Sequence, residues 1–297
     1  MESHDEPRAT LTSPITCAAS WARVTEGDSR AARMRRRTLT CALAARVIGF
    51  GILIAFRGNS GLGAARFAFT AHDGVPSEGH YTSGAKIDAR FLTEDFTLDG
   101  DLTKSAWKSA KWVEFDHDMS GRRSYPEART RVATLWSANS VYFAFSCRYL
   151  TLNTYPDDDA TKERWELWNR DVVEVFVNPQ PERLNHYFEF EVSPNNQWID
   201  LEISKDRHPF NDASWDSHFL HATRVDTERR VWTCEMRIPV ESLGVPAISV
   251  GGKWRVNLFR ADGPGSDAER RFLAWSTIPE GTTFHVPSRF GVLAFIK

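Results

Sequence analysis

Trp168-Asn-Arg-Asp171-Val-Val-Glu174 places an indole and two carboxylates within seven residues, and Glu189 and Glu191 follow in a second apolar run. Paired carboxylates could cut a glycosidic bond, which needs them about 5–5.5 Å apart for retention or about 6.5–9.5 Å for inversion. Residues two apart on a strand share a face with Cα atoms ~6.6 Å apart, so distance alone admits Glu189 and Glu191. Both, however, would lie on one side of a substrate, whereas acid and nucleophile must flank the scissile bond. No Ser/His/Asp set, phosphate-cradling glycine loop or cysteine-nucleophile motif offers another catalytic route. His186 and His285 lack a partner spacing that would hold a haem iron. Tyr155-Pro-Asp-Asp-Asp159 gathers three carboxylates that suit a hard cation, or simply form a solvated acidic turn. Cys17, Cys41, Cys147 and Cys234 have no paired short spacing of a zinc site. Cys147 and Cys234 read as two buried thiols, with one bridge as the alternative.

These residues need a scaffold, and the text from residue 129 onward supplies one in period two: Val132, Thr134, Trp136; Val141, Phe143, Phe145; Val173, Val175, Val177. Strands are predicted at 129–137, 141–149, 171–178, 184–193, 197–204, 216–224, 230–238, 253–261, 270–276 and 290–296. Turn residues stand at their joints, as in Asn178-Pro179, Pro194-Asn-Asn196 and Gly251-Gly252. Only Asp101 to Ser109 and Val240 to Leu243 read as short helices. The expected fold is therefore all-β, an antiparallel β-sandwich of jelly-roll-like form with few short helices, rather than alternating βαβ units. Several strands are apolar on both faces, so one face is expected to pack the core between the sheets and the other to line a concave aromatic floor.

Upstream, Met34-Arg-Arg-Arg37, the apolar run Thr38 to Phe56 and the small residues Gly61 to Ala65 have the order of a secretory signal, cleaved near Ala65. An uncleaved anchor is the rival. Arg46 interrupts the run, and a spanning helix wants ~20 apolar residues. Residues 1–33 show no periodicity and read as a disordered or mis-annotated upstream segment, with Met34 as the expected initiator. Residues 34–66 are the signal or anchor, 67–85 a linker rich in Gly, Ser, Pro and Thr, and 86–297 the folded body.

Charge divides along the same boundary. Residues 1–66 carry a net +5 and residues 67–297 a net −7, so the body is a poor partner for nucleic acid. Ten of the eleven Trp lie beyond residue 100, more than a core of this size needs, and some of them are expected at a ligand.

Seven motifs then occur in a fixed order: Leu98-Asp-Gly100 with Trp107; Arg131-Val-Ala-Thr-Leu-Trp136 leading to Val141-Tyr-Phe-Ala-Phe145; Trp168-Asn-Arg-Asp171-Val-Val-Glu174; Phe190-Glu-Val-Ser-Pro194; Trp232-Thr-Cys-Glu235 with Ile238-Pro239; Trp254-Arg-Val-Asn257; and Pro287-Ser-Arg-Phe290-Gly291. In this the chain resembles the family 9 carbohydrate-binding modules over about residues 86–297. The resemblance implies a β-sandwich that binds a polysaccharide or oligosaccharide of xylan or cellulose type, commonly beside glycoside hydrolases, with calcium as structural support and no other cofactor. It implies a saccharide clamped between two loop aromatics, at Trp168 and Phe284, over polar groups at Glu174 and Glu191. Two positions depart from the family pattern: Phe284 stands where a Trp is expected and Glu191 where an Arg can stand.

The chemistry of such a clamp is direct. A pyranose shows C–H groups on its faces and hydroxyls at its rim, so a π-face covers the ring while carboxylates accept from the edge. Trp168 and Glu174 suit those two tasks. Phe at 284 offers a smaller platform without an indole N–H, which predicts weaker or altered binding. Each residue also has a plainer role: Trp168 as a cap on the core edge, and Glu174 in a salt bridge with Arg131 or Arg260. Asp171 has three open roles, capping a turn, ligating calcium or accepting from a ligand. Arg260 either reaches the hydroxyl rim or neutralises the acidic face. Trp165 is expected to pack its loop, Trp107, Trp232, Trp254 and Trp275 the core, and Arg270 and Arg271 are expected at the surface. A cell-surface interaction sandwich that has lost its sugar is the alternative function, and a glycoside hydrolase the weaker one.

Overall fold

The computed structural model describes residues 84–156, 161–264 and 269–297. Thirteen strands dominate them: β1 Lys86–Phe91, β2 Trp112–Phe115, β3 Thr130–Trp136, β4 Ser140–Arg148, β5 Val172–Asn178, β6 His186–Val192, β7 Trp198–Ser204, β8 Asn211–Asp212, β9 Leu220–Asp226, β10 Val231–Pro239, β11 Lys253–Asp262, β12 Arg271–Ala274 and β13 Gly291–Ile296. Helix is confined to the single turn Ser105–Lys108 and four 3₁₀ turns among the described residues. The leader, the linker up to residue 83, and Asp157–Asp159 lie outside the described residues.

Hydrogen bonds join the strands in the order β8-β7-β6-β5-β11-β13-β1-β3-β4-β10-β9, with β12 on β11 and β2 on β3. The sheet curls so that its two halves share one core. Val132 (β3), Phe143 and Phe145 (β4), and Trp232 and Met236 (β10) cluster with Val175 (β5), Phe190 (β6), Leu258 (β11) and Phe295 (β13). The all-β sandwich is thus as expected. The antiparallel expectation needs one amendment, because β1 pairs parallel with both β13 and β3, Ile87 opposite Leu293 and Ala89 opposite Thr134. β1 is the seam between the halves. It escaped the periodicity reading because Lys86-Ile-Asp-Ala-Arg-Phe91 buries only Ile87 and Ala89.

Each half also covers its outer face. On the β3/β4/β10 half, Trp107 packs over Ala133, Leu135, Tyr142 and Ala144. On the β5/β6/β7/β11 half, Phe176, Tyr187, Leu201 and Phe259 form a second apolar surface together with Phe290. This accounts for strands that are apolar on both sides. Trp107, Trp232 and Trp254 are buried as expected, and Trp275 packs against the central core. Cys147 and Cys234 are buried free thiols; burial pushes the Cys147 thiol up to about 12, so it stays protonated.

Two motifs acquire structural reasons. Gly100 holds φ +79°, and a Cβ there would meet the Thr223 backbone carbon at 2.8 Å, so the turn admits only glycine without a shift. A Cβ on Gly291 would lie 2.6 Å from the Trp275 ring and 2.7 Å from the Ala85 carbonyl.

Candidate functional site

A cavity of about 490 Å³ opens on the outer face of the β5/β6 half, lined by Trp168, Glu174, Phe176, Glu189, Leu201, Phe210, Arg270, Phe272, Phe284 and His285 among others. Its floor follows from strand register. Glu174 of β5 lies directly opposite Glu191 of β6 on one side and Phe259 of β11 on the other, while Phe176 opposes Glu189. Residues at this parity point away from the central core, where Val173 and Val175 go.

Two loops form the rim. Leu167–Asn169 is a 3₁₀ turn anchored by fully buried Leu167, leaving Trp168 half-buried beside the cavity. Trp165 is half exposed and meets Trp168 edge-on, ring centroids 5.0 Å apart. The second loop brings Phe284 in flat against Phe259, centroids 4.1 Å apart and planes within 10°. One face of Phe284 is therefore taken by the floor. This loop is held from behind, as Arg255 Nη2 donates to the carbonyls of Ser288 (3.1 Å) and Phe290 (3.3 Å), and Ser276 Oγ donates to that of Arg289 (2.6 Å).

Trp168, Glu174 and Phe284 thus come together, from three separate segments. Glu191 lies beneath them, fully buried next to Glu174. Asp171 does not line the cavity. It is fully buried, its Oδ2 accepts from the Asn153 amide (2.9 Å) and its Oδ1 from the Gly263 amide (3.0 Å), so it ties two loops together. Arg260 is turned to the opposite face, because it opposes Val173. There it donates to the Ala128 carbonyl (2.8 Å) and to Thr130 Oγ1 (3.1 Å), and pairs with Asp262. It neither reaches the rim nor neutralises Glu174. Arg131 stacks over Trp112 instead, 5.0 Å from its ring.

Arg270 and Arg271 correct the surface expectation. Arg271 binds Asp262 (2.5 Å) and Glu127 (2.8 Å). Arg270 is buried to 7% exposure, lines the cavity, and donates from Nη2 to the carbonyls of Trp168 (2.5 Å) and Arg170 (2.8 Å). It therefore positions the indole, and its charge opposes the proton affinity of Glu174 and Glu191. Nothing local in Glu-Arg-Arg-Phe signals this, because the contact joins residues a hundred positions apart.

The floor is acidic and buried. Glu174, Glu189 and Glu191 are 2%, 3% and 0% exposed, and a ligand oxygen from each lies within 4.8 Å of the others. Burial lifts Glu174 and Glu191 well above the ordinary carboxylate range, with their neighbours' charges adding to it, and burial pushes Glu189 up to about 7. Glu189 was legible as sharing a face with Glu191, though its place beside Glu174 required the β5/β6 register. His285 sits between Phe176 and Phe210, shares a hydrogen bond with Tyr187 Oη (2.9 Å), and is held neutral by burial, its pKa down to about 4.

Residues 98–297 match the family described as carbohydrate family 9 binding domain-like. A protein of Arthroderma benhamiae named "Extracellular protein" is 25% identical over 197 residues, covering 62% of this chain and 85% of its own. Among solved structures, a putative carbohydrate-binding protein from Bacteroides uniformis superposes with a TM-score of 0.58 at 16% identity, covering 71% of this chain and 99% of its own. A family 9 carbohydrate-binding module from Caldicellulosiruptor kristjanssonii, solved with cellotriose, gives 0.52 at 16% identity, over 71% and 94%. At these identities the solved structures establish a shared fold. The match in sequence covers about two thirds of the chain in one unbroken stretch, and by it the protein belongs to the carbohydrate family 9 binding domain-like family.

Proposed function

We propose that the protein is an exported, non-catalytic module that holds a saccharide of cellulose or xylan type in the cavity bounded by Trp168 and Phe284. The observation that carries this reading is the convergence of Trp168, Phe284 and Glu174 on one mainly apolar hollow with a few polar groups at its base, within the size range of small-molecule sites. Trp168 covers a pyranose face, and Glu174 and Glu189 meet hydroxyls at the floor. Burial raises the proton affinity of both acids, so each accepts from hydroxyls as a carboxylate and can also donate when it holds its proton. The family 9 module from Caldicellulosiruptor kristjanssonii was solved with cellotriose and with glucose, which supports the substrate class.

Hydrolysis is disfavoured by placement. Glu174, Glu189 and Glu191 all rise from one floor within 4.8 Å, and carboxylates on a single side cannot flank a glycosidic bond. Export is supported by the signal-like order of residues 34–66 and by the extracellular name of the fungal relative. No helix among the described residues is long and apolar enough to cross a membrane.

Depletion of the protein from solution by insoluble cellulose and xylan, compared with Trp168→Ala, tests the reading. Loss of retention in the variant with an unchanged melting curve is expected; equal retention places the site elsewhere. Reducing-sugar release from the same polymers is expected to stay at background, and any release above it that depends on Glu174 overturns the non-catalytic assignment.

A further inference from the structure

We propose that Glu174, Glu189 and Glu191 form a binding site for one hard divalent cation, calcium by preference, at the base of the cavity. Oxygens bound to one ion at about 2.4 Å, a calcium distance, lie at most ~4.8 Å from one another. The three carboxylates fall within that span as they stand.

The second, independent observation is a buried acid with no partner outside the cluster. Glu191 is 0% exposed, and neither of its carboxylate oxygens meets a donor outside the cluster, its side-chain partner being Glu189; Glu189 Oε2 meets none either, with the neutral His285 ring at 3.9 Å through Nε2. Buried polar groups left this way are rare and ask for a missing ligand. The chain shows elsewhere that it can satisfy a buried carboxylate, since Asp171 and Glu235 each receive backbone amides aimed at them.

Charge agrees with geometry. Three carboxylates make up the cluster, and the one cation whose charge bears on Glu174 and Glu191 is Arg270, its Nη2 engaged by the Trp168 and Arg170 carbonyls. One divalent ion added to that guanidinium balances the set, and all-oxygen ligation suits calcium or manganese over softer metals. Glu174 and Glu189 line the cavity, so the remaining coordination positions face it and are open to water. Filling them with two hydroxyls of one sugar ring rests on the saccharide reading; the metal site does not.

The full-length chain, stripped with EDTA and dialysed, is titrated calorimetrically near neutral pH with calcium chloride and then manganese chloride, with no saccharide present. One calcium per chain is expected, with a rise in melting temperature because the ion binds only the folded state. Glu191→Gln and Glu189→Gln should each weaken calcium by tenfold or more, while metal-free Glu191→Gln melts at or above wild type and so reports an intact fold. Absence of heat and of any melting shift with either metal overturns the proposal. So does undiminished affinity in both Gln variants, which would put the ion elsewhere, for example on Asp157–Asp159. A cellotriose titration with and without calcium separates the two readings: calcium that binds where cellotriose does not leaves the cation site standing and the saccharide reading fallen.

Discussion

On the outer face of the β4/β10 half, Glu235 accepts from the amides of Asp99 (2.9 Å) and Gly100 (2.8 Å), from Lys104 Nζ (2.7 Å) and from Trp107 Nε1 (2.7 Å). On the outer face of the β5/β6 half, Glu191 is equally buried and accepts from none of these donor types. Both acids sit mid-strand under a covering loop. The first clasps its loop, the Leu98-Asp-Gly100 motif with Trp107, into a closed lid. The second lies under a loop pair that stops short of covering it and leaves a cavity. Burial alone therefore does not tell a structural acid from a functional one; the donor count does.

The largest effect should come from Glu235→Ala. Removing the acceptor strands Lys104, two amides and an indole N–H, a loss of about 3–5 kcal/mol, seen as a fall in melting temperature of about 10 °C. If Glu191→Ala cost as much, the contrast between the faces would be broken. Next in size, Trp168→Ala should weaken saccharide binding by roughly tenfold to a hundredfold, ~1.4–2.8 kcal/mol, with little change in melting, as measured by cellotriose titration. Glu191→Gln in EDTA should go the opposite way from Glu235, stabilising by about 1 kcal/mol because an amide escapes the cost of burying an ionisable acid; calorimetric melts read the sign.

A last effect, read in pH rather than in affinity, concerns Asp171, which lies between the extremes with two amide donors but Asp262 nearby. Burial, reinforced by that neighbour, raises it to about 7 from its ordinary 3.8. Between those values the folded state holds the proton more tightly than the unfolded chain. Its contribution is therefore complete below pH 3.8 and lost as pH rises toward 7. Asp171→Asn should flatten the decline in melting temperature across that window, and an unchanged slope would remove Asp171 as its source.

Much of the scaffold was readable because its physics is local. Alternation in Val132 to Trp136 and in Val141 to Phe145, with turn residues between, marks β3 and β4 regardless of what they pack on. The site was readable in part, through residues that sit in an ordered motif or just before one: Trp168, Glu174 and Phe284 line one cavity. What escaped depends on pairing across long stretches of chain. The seam β1 offers two buried side chains and no turn signal, and Arg270 earns its place only through carbonyls of the Trp168 loop. Arg260 misled because its face is set by a one-residue parity that the run Trp254 to Asp262, buried on both sides, does not display.

The parallel seam has a consequence for how the molecule comes into being. Ile87 and Leu293 are neighbours in space and about two hundred residues apart in the chain, so the two halves cannot be joined until β13 has been synthesised and released. Such a distant pairing makes for slow closure, and every earlier stage carries open strand edges that invite aggregation. A nascent chain lacking Gly291–Ile296 should therefore stay sensitive to protease and bound to holdase chaperones, however complete its cavity-bearing strands.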